Sequence, residues 1–156
     1  MPTTPPPPQA VSGFAEAVTF LGMESTVLTV RTGTRPNVVD ITGPAADFCR
    51  SQGDGLLSVF VPHATAGVAV IETGAGSDDD LLALLDDLLP RDGRWQHRHG
   101  APGHGADHVL PALVAPSIVV PVLGGRPALG TWQSIVLVDT NVDNPEREVR
   151  LSFLAG

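Results

Sequence analysis

The chain has 156 residues, a length that suits one domain, and a hydrophobic content of 42% is enough for a packed core. A formal net charge of −8 at pH 7 disfavours nucleic acid and anionic membranes as partners, because the field of the protein would repel both. The chain contains no lysine, which excludes a Schiff-base mechanism, and its single cysteine, Cys49, excludes an internal disulfide.

The N-terminal residues 1–12 contain four consecutive prolines and few side chains that could be buried. We predict a disordered, proline-rich tail here and a single domain over residues 13–156. The N-terminus shows no basic segment followed by an apolar one, and no apolar run approaches the roughly 18 residues that cross a bilayer. We therefore expect a cytoplasmic protein.

Most of the remaining chain consists of short apolar runs between turn-forming residues. Runs rich in β-branched residues predict strands over residues 14–21, 26–31, 55–61, 68–72, 118–123, 131–140 and 146–154. The first two of these runs are close enough in sequence to form a hairpin, and Gly124-Gly125 predicts a further turn.

Helical patterns are fewer. Residues 37–51 predict a helix with Thr42 as its N-cap, and residues 109–114 predict a short helix that two prolines weaken. Residues 77–89 are the clearest helix, with Ser77 as N-cap and three aspartates in the first turn. Its predicted buried stripe consists of Leu81, Leu84, Leu85, Leu88 and Leu89. Many short strands with two or three helices predict an α+β domain whose main body is an antiparallel β-sandwich.

The histidines are concentrated in one segment. Residues 95–108 contain four of the five: His97, His99, His104 and His108. Glycines and a proline break both helical and strand periodicity in this segment, which predicts a loop. A loop dense in imidazole is a candidate metal or proton-transfer site, although loop histidines that are only solvated or capping are the simpler interpretation.

A metal site needs these imidazoles to converge. We hypothesise that His97 and His108, eleven residues apart across the glycine-rich loop, meet His63, which follows a buried strand and Pro62. Three histidines and a water are a familiar open zinc site. Glu72 ends the next strand and is the best carboxylate to join them. In an extended chain His97 and His99 would point to opposite sides, so we expect them not to share an ion.

A second unusual stretch lies near the C-terminus. Trp132 is interpreted either as a core residue or as a ligand-stacking surface beside the donors Thr131 and Gln133. Arg126 follows the glycine pair and is either a phosphate-binding residue or a surface arginine at a hairpin.

These motifs, taken in order, resemble the YjbQ family. They are V-F-V-P-H-A-T-A-G-V followed by Glu72, W-Q-H followed by His108, and P-V-L-G-G-R followed by L-G-T-W-Q-S-I. The match runs from Phe14 to Leu154. The resemblance implies a compact α+β fold with a jelly-roll-like sandwich that assembles as a homotrimer. It also implies that His63, His97 and His108 occupy the positions of a metal-like histidine cluster, with Glu72 on its acidic position.

The resemblance further implies a metal-dependent enzyme similar to thiamine-phosphate synthase, which joins hydroxymethylpyrimidine diphosphate to thiazole phosphate and releases diphosphate. Its cofactor would be a divalent metal, zinc first, or magnesium with a diphosphate substrate. The expected catalytic residues are Glu72, Arg126, Trp132 and Gln133. Two alternatives stay open: a metal-dependent hydrolase or lyase of another small molecule, and a non-catalytic module in which metal holds the trimer together. His99 and His104 are additional to the family pattern.

Overall fold

Ten strands form two antiparallel sheets in the part of the chain that the structure, a computed structural model, describes: residues 11–14, 18–20 and 22–156. In chain order the strands are β1 (Val11–Phe14), β2 (Val18–Phe20), β3 (Met23–Arg31), β4 (Asn37–Asp40), β5 (Gly55–Phe60), β6 (Ala66–Ile71), β7 (Ser117–Leu123), β8 (Arg126–Pro127), β9 (Ser134–Asp139) and β10 (Glu146–Ala155). The helices are α1 (Thr42–Cys49), α2 (Ser77–Leu88) and α3 (His104–Asp107), with a 3₁₀ turn at Leu110–Ala112.

The larger sheet has seven strands in the order β1-β3-β10-β5-β7-β8, with β2 also paired to β3. The smaller sheet has the order β4-β9-β6. Both sheets contribute to one apolar core, in which Val149 and Leu151 of β10 lie with Val59 of β5 and Leu137 of β9. This arises because buried and outward residues alternate along β10, as the period of a strand requires. The predicted α+β class with antiparallel sheets is confirmed, but strand order alone does not establish a jelly-roll-like sandwich.

The N-terminal predictions are only partly covered by the described residues. The pairing of β2 with β3 agrees with the predicted hairpin. Residues 1–10 of the predicted tail lie outside the described part of the chain. Val11 and Ser12, the last two residues of that tail, belong to β1 and pair with Val30 and Thr29. No helix in the described part is long and apolar enough to cross a membrane.

Residues 37–51 divide into a strand and a helix, whereas one helix was predicted. β4 forms because its β-branched Val39 is buried and pairs with Leu137 of the central strand β9. The helix then begins at Thr42, and Ile41 occupies the N-cap position. Tertiary pairing has therefore overridden the helical pattern in the first four residues.

The predicted leucine stripe of α2 is too wide. Gly76, in a left-handed conformation, is the N-cap in place of Ser77. Leu85 and Leu89 are buried, but Leu84 is 53% and Leu88 56% exposed. The buried positions recur every fourth residue, because α2 packs along a narrow line onto α3, the 3₁₀ turn and β9.

The two ends of the central strand β9 define two ends of the smaller sheet. Its neighbours run antiparallel to it, so Ala66 pairs with Asp139 and Ile71 pairs with Ser134. We call these the Asp139 end and the Ser134 end. Five strand steps, about 17 Å, lie between them. His63 precedes β6 at the Asp139 end, and Glu72 follows β6 at the Ser134 end.

Candidate metal centre

The histidine-rich segment is held by its glycines and by Trp95. The indole Nε1 donates to the carbonyl of Pro90 at 2.8 Å, which ties the segment to the end of α2. Gly105 packs directly on this tryptophan, since a Cβ there would lie 2.5 Å from Trp95 Cβ. Gly103 has a φ of 87° and serves as the N-cap of α3. The predicted loop therefore contains a short helix, which projects His104 and leads into His108.

Four imidazole rings gather in this segment. The ring centroid of His97 lies 4.0 Å from that of His99 and 4.2 Å from that of His108. Those of His104 and His108 are 4.6 Å apart. One ring nitrogen from each of His97, His99 and His104 falls within 4.8 Å of the others. The four rings thus form one group, which we call the imidazole cluster.

The closest approach joins His104 and His108. Their Nε2 atoms are 2.9 Å apart. Two nitrogens bound tetrahedrally to zinc at 2.0–2.1 Å are separated by about 3.3 Å, so a small outward movement of the rings would admit an ion. The arrangement differs from the expectation that His97 and His99 cannot share a ligand. That expectation assumed an extended chain, and residues 97–99 have no strand structure.

Asp143 determines which nitrogen of His104 is free. Its Oδ2 lies 2.8 Å from His104 Nδ1 and accepts the backbone N–H of Ala101 at 3.2 Å. The Ala101 hydrogen bond, followed by that from His104, holds the pKa of Asp143 below its ordinary value. An ionised carboxylate at this position accepts a hydrogen bond from Nδ1–H, which leaves the lone pair on Nε2, the nitrogen that faces His108. Carboxylates orient metal-binding histidines in this way.

The pKa values of His97 and His108 are lowered, which favours their neutral forms. Desolvation lowers the pKa of His97, and the neighbouring imidazoles of His99 and His104 lower it further. Burial, then the charges of His97, His104 and His99, lower the pKa of His108 against an opposing effect of Asp107. Because only neutral imidazole binds a metal, both shifts extend the pH range over which the cluster could do so.

A buried carboxylate supports the cluster from beneath. Asp107 is 1% exposed and lies in α3, between His104 and His108 in sequence. It accepts the guanidinium of Arg91, the hydroxyl of Thr140 at 2.9 Å and the amide Nδ2 of Asn141 at 3.0 Å. These bonds fix α3 against the end of β9. Neither Asp107 nor Asp143 was among the site residues predicted from the sequence, although the polar run N-V-D-N-P at residues 141–145 is a signal for the turn that contains Asp143.

The structure does not bring His63 into the imidazole cluster. Among the described residues no ring contact joins it to the other four histidines. Its Nε2 accepts the backbone N–H of Glu148 at 3.0 Å, and its Nδ1 lies 3.4 Å from Arg147. Burial and the charge of Arg147 lower its pKa. Both ring nitrogens therefore already have protein neighbours, because the Pro62–His63 segment packs against β10.

The expected catalytic residues lie at the opposite end of β9. Glu72 is exposed and follows β6 at the Ser134 end. Trp132 is 73% exposed, so it is not a core residue, and Gln133 precedes β9 directly. Arg126 is exposed in β8. Within one chain these four residues are separated from the imidazole cluster by the length of the strand.

The imidazole cluster borders an open cavity of about 300 Å³, which is lined by His97, His99, His104, Trp95 and the adjoining glycines. This volume is at the lower limit of small-molecule sites. Residues 26–156 of the chain match the model of a family described as UPF0047 protein YjbQ-like. The chain belongs to the YjbQ-like UPF0047 family.

Relatives in this family match most of the chain. A UPF0047 protein of Mycobacterium tuberculosis is 64% identical over 134 residues, which are 86% of this chain and 100% of the relative. A UPF0047 protein of Archaeoglobus fulgidus is 33% identical over 112 residues, or 72% and 87% of the two chains. The crystal structure of a hypothetical protein from Aeropyrum pernix has a TM-score of 0.75 at 36% identity, and covers 85% of this chain and 98% of that one.

The names of these UPF0047 relatives correct the functional expectation. They state no activity. A crystal structure from Clostridium acetobutylicum is likewise described as an uncharacterized conserved protein of the YjbQ/UPF0047 family. It has a TM-score of 0.73 at 26% identity, and covers 82% of this chain and 98% of that one. A thiamine-phosphate synthase-like enzyme was therefore the wrong expectation. The family itself, in contrast, was correctly identified from the sequence motifs.

Proposed function

We propose that this protein binds one divalent transition-metal ion per chain through the imidazole cluster, with zinc the first candidate. The observation that carries the proposal is the convergence of three imidazole nitrogens, from His97, His99 and His104, within 4.8 Å. His108 contributes a fourth nitrogen, 2.9 Å from that of His104. The proposed ligand set keeps His97 and His108 from the sequence hypothesis and replaces His63 with His99 and His104.

The chemistry of the donors favours zinc over magnesium. All four donors are imidazole nitrogens, which suit zinc, copper and nickel, whereas magnesium requires oxygen ligands. Asp143 supplies the outer carboxylate that such sites use to orient a ligand, at 2.8 Å from His104. The cavity beside the rings leaves room for a water or a further ligand on the ion.

Zinc titration by calorimetry, with a competing chelator, tests this proposal. We expect one zinc per chain in the unmodified protein and a loss of at least about ten-fold in affinity in His104→Ala, because His104 belongs both to the group with His97 and His99 and to the close pair with His108. His63→Gln is the matched control, since it removes the one histidine outside the cluster. Equal zinc affinity in His104→Ala and the unmodified protein would contradict the proposal, as would an equal loss in both variants.

We also propose that the chain self-associates, and that the homotrimer implied by the family resemblance is the assembly. The outward face of the larger sheet supports this. It exposes Leu56 and Phe60 of β5, Val119 and Leu123 of β7, and Leu154 of β10. The register makes these neighbours, since Leu154 pairs with Leu56 and Val119 pairs with Ser58. A contiguous apolar face of this kind commonly marks a protein interface.

Sedimentation equilibrium tests the assembly. Val119→Asp places a charge at the centre of the apolar face and should shift the protein toward monomer, because a buried unpaired charge is costly. Leu84→Asp, on exposed α2, is the control and should keep the native mass. A monomeric unmodified protein, or a Val119→Asp variant that keeps the trimer mass, would rule the interface out.

We further propose that the two sheets are the faces of a jelly-roll-like sandwich. One apolar cluster contains residues from both sheets, among them Leu57 and Leu151 of the larger sheet and Ile135 of the smaller one. Two sheets that bury their inner faces against each other form such a core. A crystal structure with the full strand connectivity tests this arrangement.

A further inference from the structure

A second cavity lies at the Ser134 end of β9, away from the imidazole cluster. It is open to solvent, has a volume of about 620 Å³ and is lined by residues of α1, the glycine turn before β8, and Leu129 and Gln133. This volume is in the middle of the range for sites that bind small molecules. Pro127 and Leu129 supply apolar surface, whereas Arg50, Arg126 and Gln133 supply polar groups.

The charge of this cavity is opposite to that of the protein. Two arginines line it and no carboxylate does, although the chain carries a net charge of −8. Arg126 has no hydrogen-bond or ion-pair partner among the described residues. Arg50 pairs with Asp47, but both side chains are largely exposed, so that pair is weak and open to exchange. The cavity is therefore bordered by the guanidinium group of Arg126, which has no protein partner among the described residues, in a molecule with a net negative charge.

Three carboxylates are bonded to residues that line this cavity. Asp54 accepts the backbone N–H of Gly124 at 2.6 Å, and Asp40 accepts that of Thr42 at 2.8 Å. Asp47 is the partner of Arg50. Each of these carboxylates is bonded to a residue of the cavity lining, and none of the three forms an ion pair with Arg126 in the described part of the chain.

Two turns hold the donors in place. Gly125 has a φ of 75°, and a Cβ there would lie 2.6 Å from the carbonyl oxygen of Arg50, so only glycine allows this turn to pack on α1. Its N–H donates to Gly53 at 2.9 Å, which fixes the start of β8 and the backbone of Arg126. In the other turn, Gln133 Oε1 accepts the N–H of Gly130 at 2.8 Å. The amide Nε2 of Gln133 is then left as a donor without an acceptor among the described residues.

From this arrangement we propose that the cavity binds the phosphate group of a small soluble molecule. Arg126 would provide the planar, paired donors that match phosphate oxygens, and Gln133 Nε2 would donate a further hydrogen bond. The apolar surface of Pro127 and Leu129 would contact the remainder of the molecule. This site is separate from the proposed metal centre, and neither proposal depends on the other.

Calorimetric titration with phenyl phosphate tests the proposal, with phenol as the uncharged control. We expect binding of phenyl phosphate and of inorganic phosphate, weakened by added salt, and no binding of phenol. Arg126→Ala should weaken phenyl phosphate binding by about ten-fold to a hundred-fold, since a hydrogen bond to a charged group is lost. Gln133→Glu should weaken it too, because it keeps the acceptor for Gly130 and replaces the donor with a negative charge.

Arg35→Ala is the matched control, because Arg35 is an exposed arginine at the Asp139 end and its loss changes the net charge equally. It should leave phenyl phosphate affinity within about two-fold, a difference too small to reflect a lost ionic hydrogen bond. Failure of the unmodified protein to bind either phosphate probe at millimolar concentration would overturn the proposal, as would equal losses in Arg35→Ala and Arg126→Ala. Binding to phosphatidic acid vesicles without binding to phenyl phosphate would also overturn it, since the partner would then be a lipid surface.

Discussion

Replacement of Arg147 by methionine should be among the most destabilising changes in this protein. Arg147 is 3% exposed, and its Nε and Nη2 donate to the carboxylate of Asp139 at 2.7 and 3.0 Å. Asp139 is fully buried and also accepts the hydroxyl of Thr32 and the N–H of Asn141. Arg147→Met would leave a buried carboxylate with neutral donors only. Breaking such a pair costs about 3–5 kcal/mol, a large part of the roughly 5–15 kcal/mol by which domains are stable.

Urea unfolding at one protein concentration measures this cost, with two comparisons. Arg31→Met breaks the exposed pair with Glu146 near the same end of β10 and should cost at most about 1 kcal/mol. The double variant Arg147→Met/Asp139→Asn removes the orphaned charge but keeps an oxygen for Thr32, so it should be more stable than Arg147→Met alone. If Arg147→Met costs no more than Arg31→Met, or if the second substitution adds a full further loss, the reasoning from buried charge is refuted.

Three further predictions follow from the contacts described. Asp143→Asn should weaken zinc binding about ten-fold to a hundred-fold in calorimetry by releasing His104, whereas Asp92→Asn in the same loop should not, and equal affinities would exclude an orienting role. Burial and Arg147 hold the pKa of His63 below 6.5 in the folded state, so the unfolded chain binds more protons at this residue. The contribution of His63 to the free energy of unfolding should be fully present above about pH 6.5 and should be lost as the pH falls toward the folded pKa. Urea midpoints for His63→Gln should therefore depend less steeply on pH than those of the unmodified protein. Gly67→Ala would place a Cβ 2.1 Å from the carbonyl oxygen of Val114 and should destabilise by about 1–3 kcal/mol or more in urea unfolding, whereas Gly43→Ala meets nothing within 4 Å and should be neutral or slightly stabilising.

Local patterns predicted most strands and turns of this fold. The alternating and apolar runs that became β5, β7 and β10 were visible because the side chains of a strand repeat every two residues. Residues 37–40 were predicted wrongly, because their pairing with β9 overrides the helix-like spacing of their apolar residues. The burial of Leu84 and Leu88 was also predicted wrongly, since a helical repeat does not reveal how wide a face its neighbours will cover.

The sequence hypothesis and the imidazole cluster share His97 and His108 and differ in their other members. The density of histidines in residues 95–108 pointed to the segment in which four imidazole rings gather. His99 was excluded because an extended chain would point it away from His97. His63 was included because the fold was expected to bring it to the histidine-rich segment. Neither the short helix α3 nor the hydrogen bond from Glu148 to His63 has a signature in local sequence. Both depend on contacts with distant residues: Asp107 of α3 bonds to Arg91 and Thr140, and His63 packs against β10.

The position of β10 has a consequence for how this protein comes to be folded. β10 follows every other strand of the larger sheet in sequence, yet it lies between β3 and β5 and pairs with both. Until residues 146–155 have been synthesised, β3 and β5 each present an unpaired edge on which another nascent chain could dock. The sheet can close only through contacts between distant parts of the polypeptide, so its assembly should be slow and should follow translation of the strands that flank the gap.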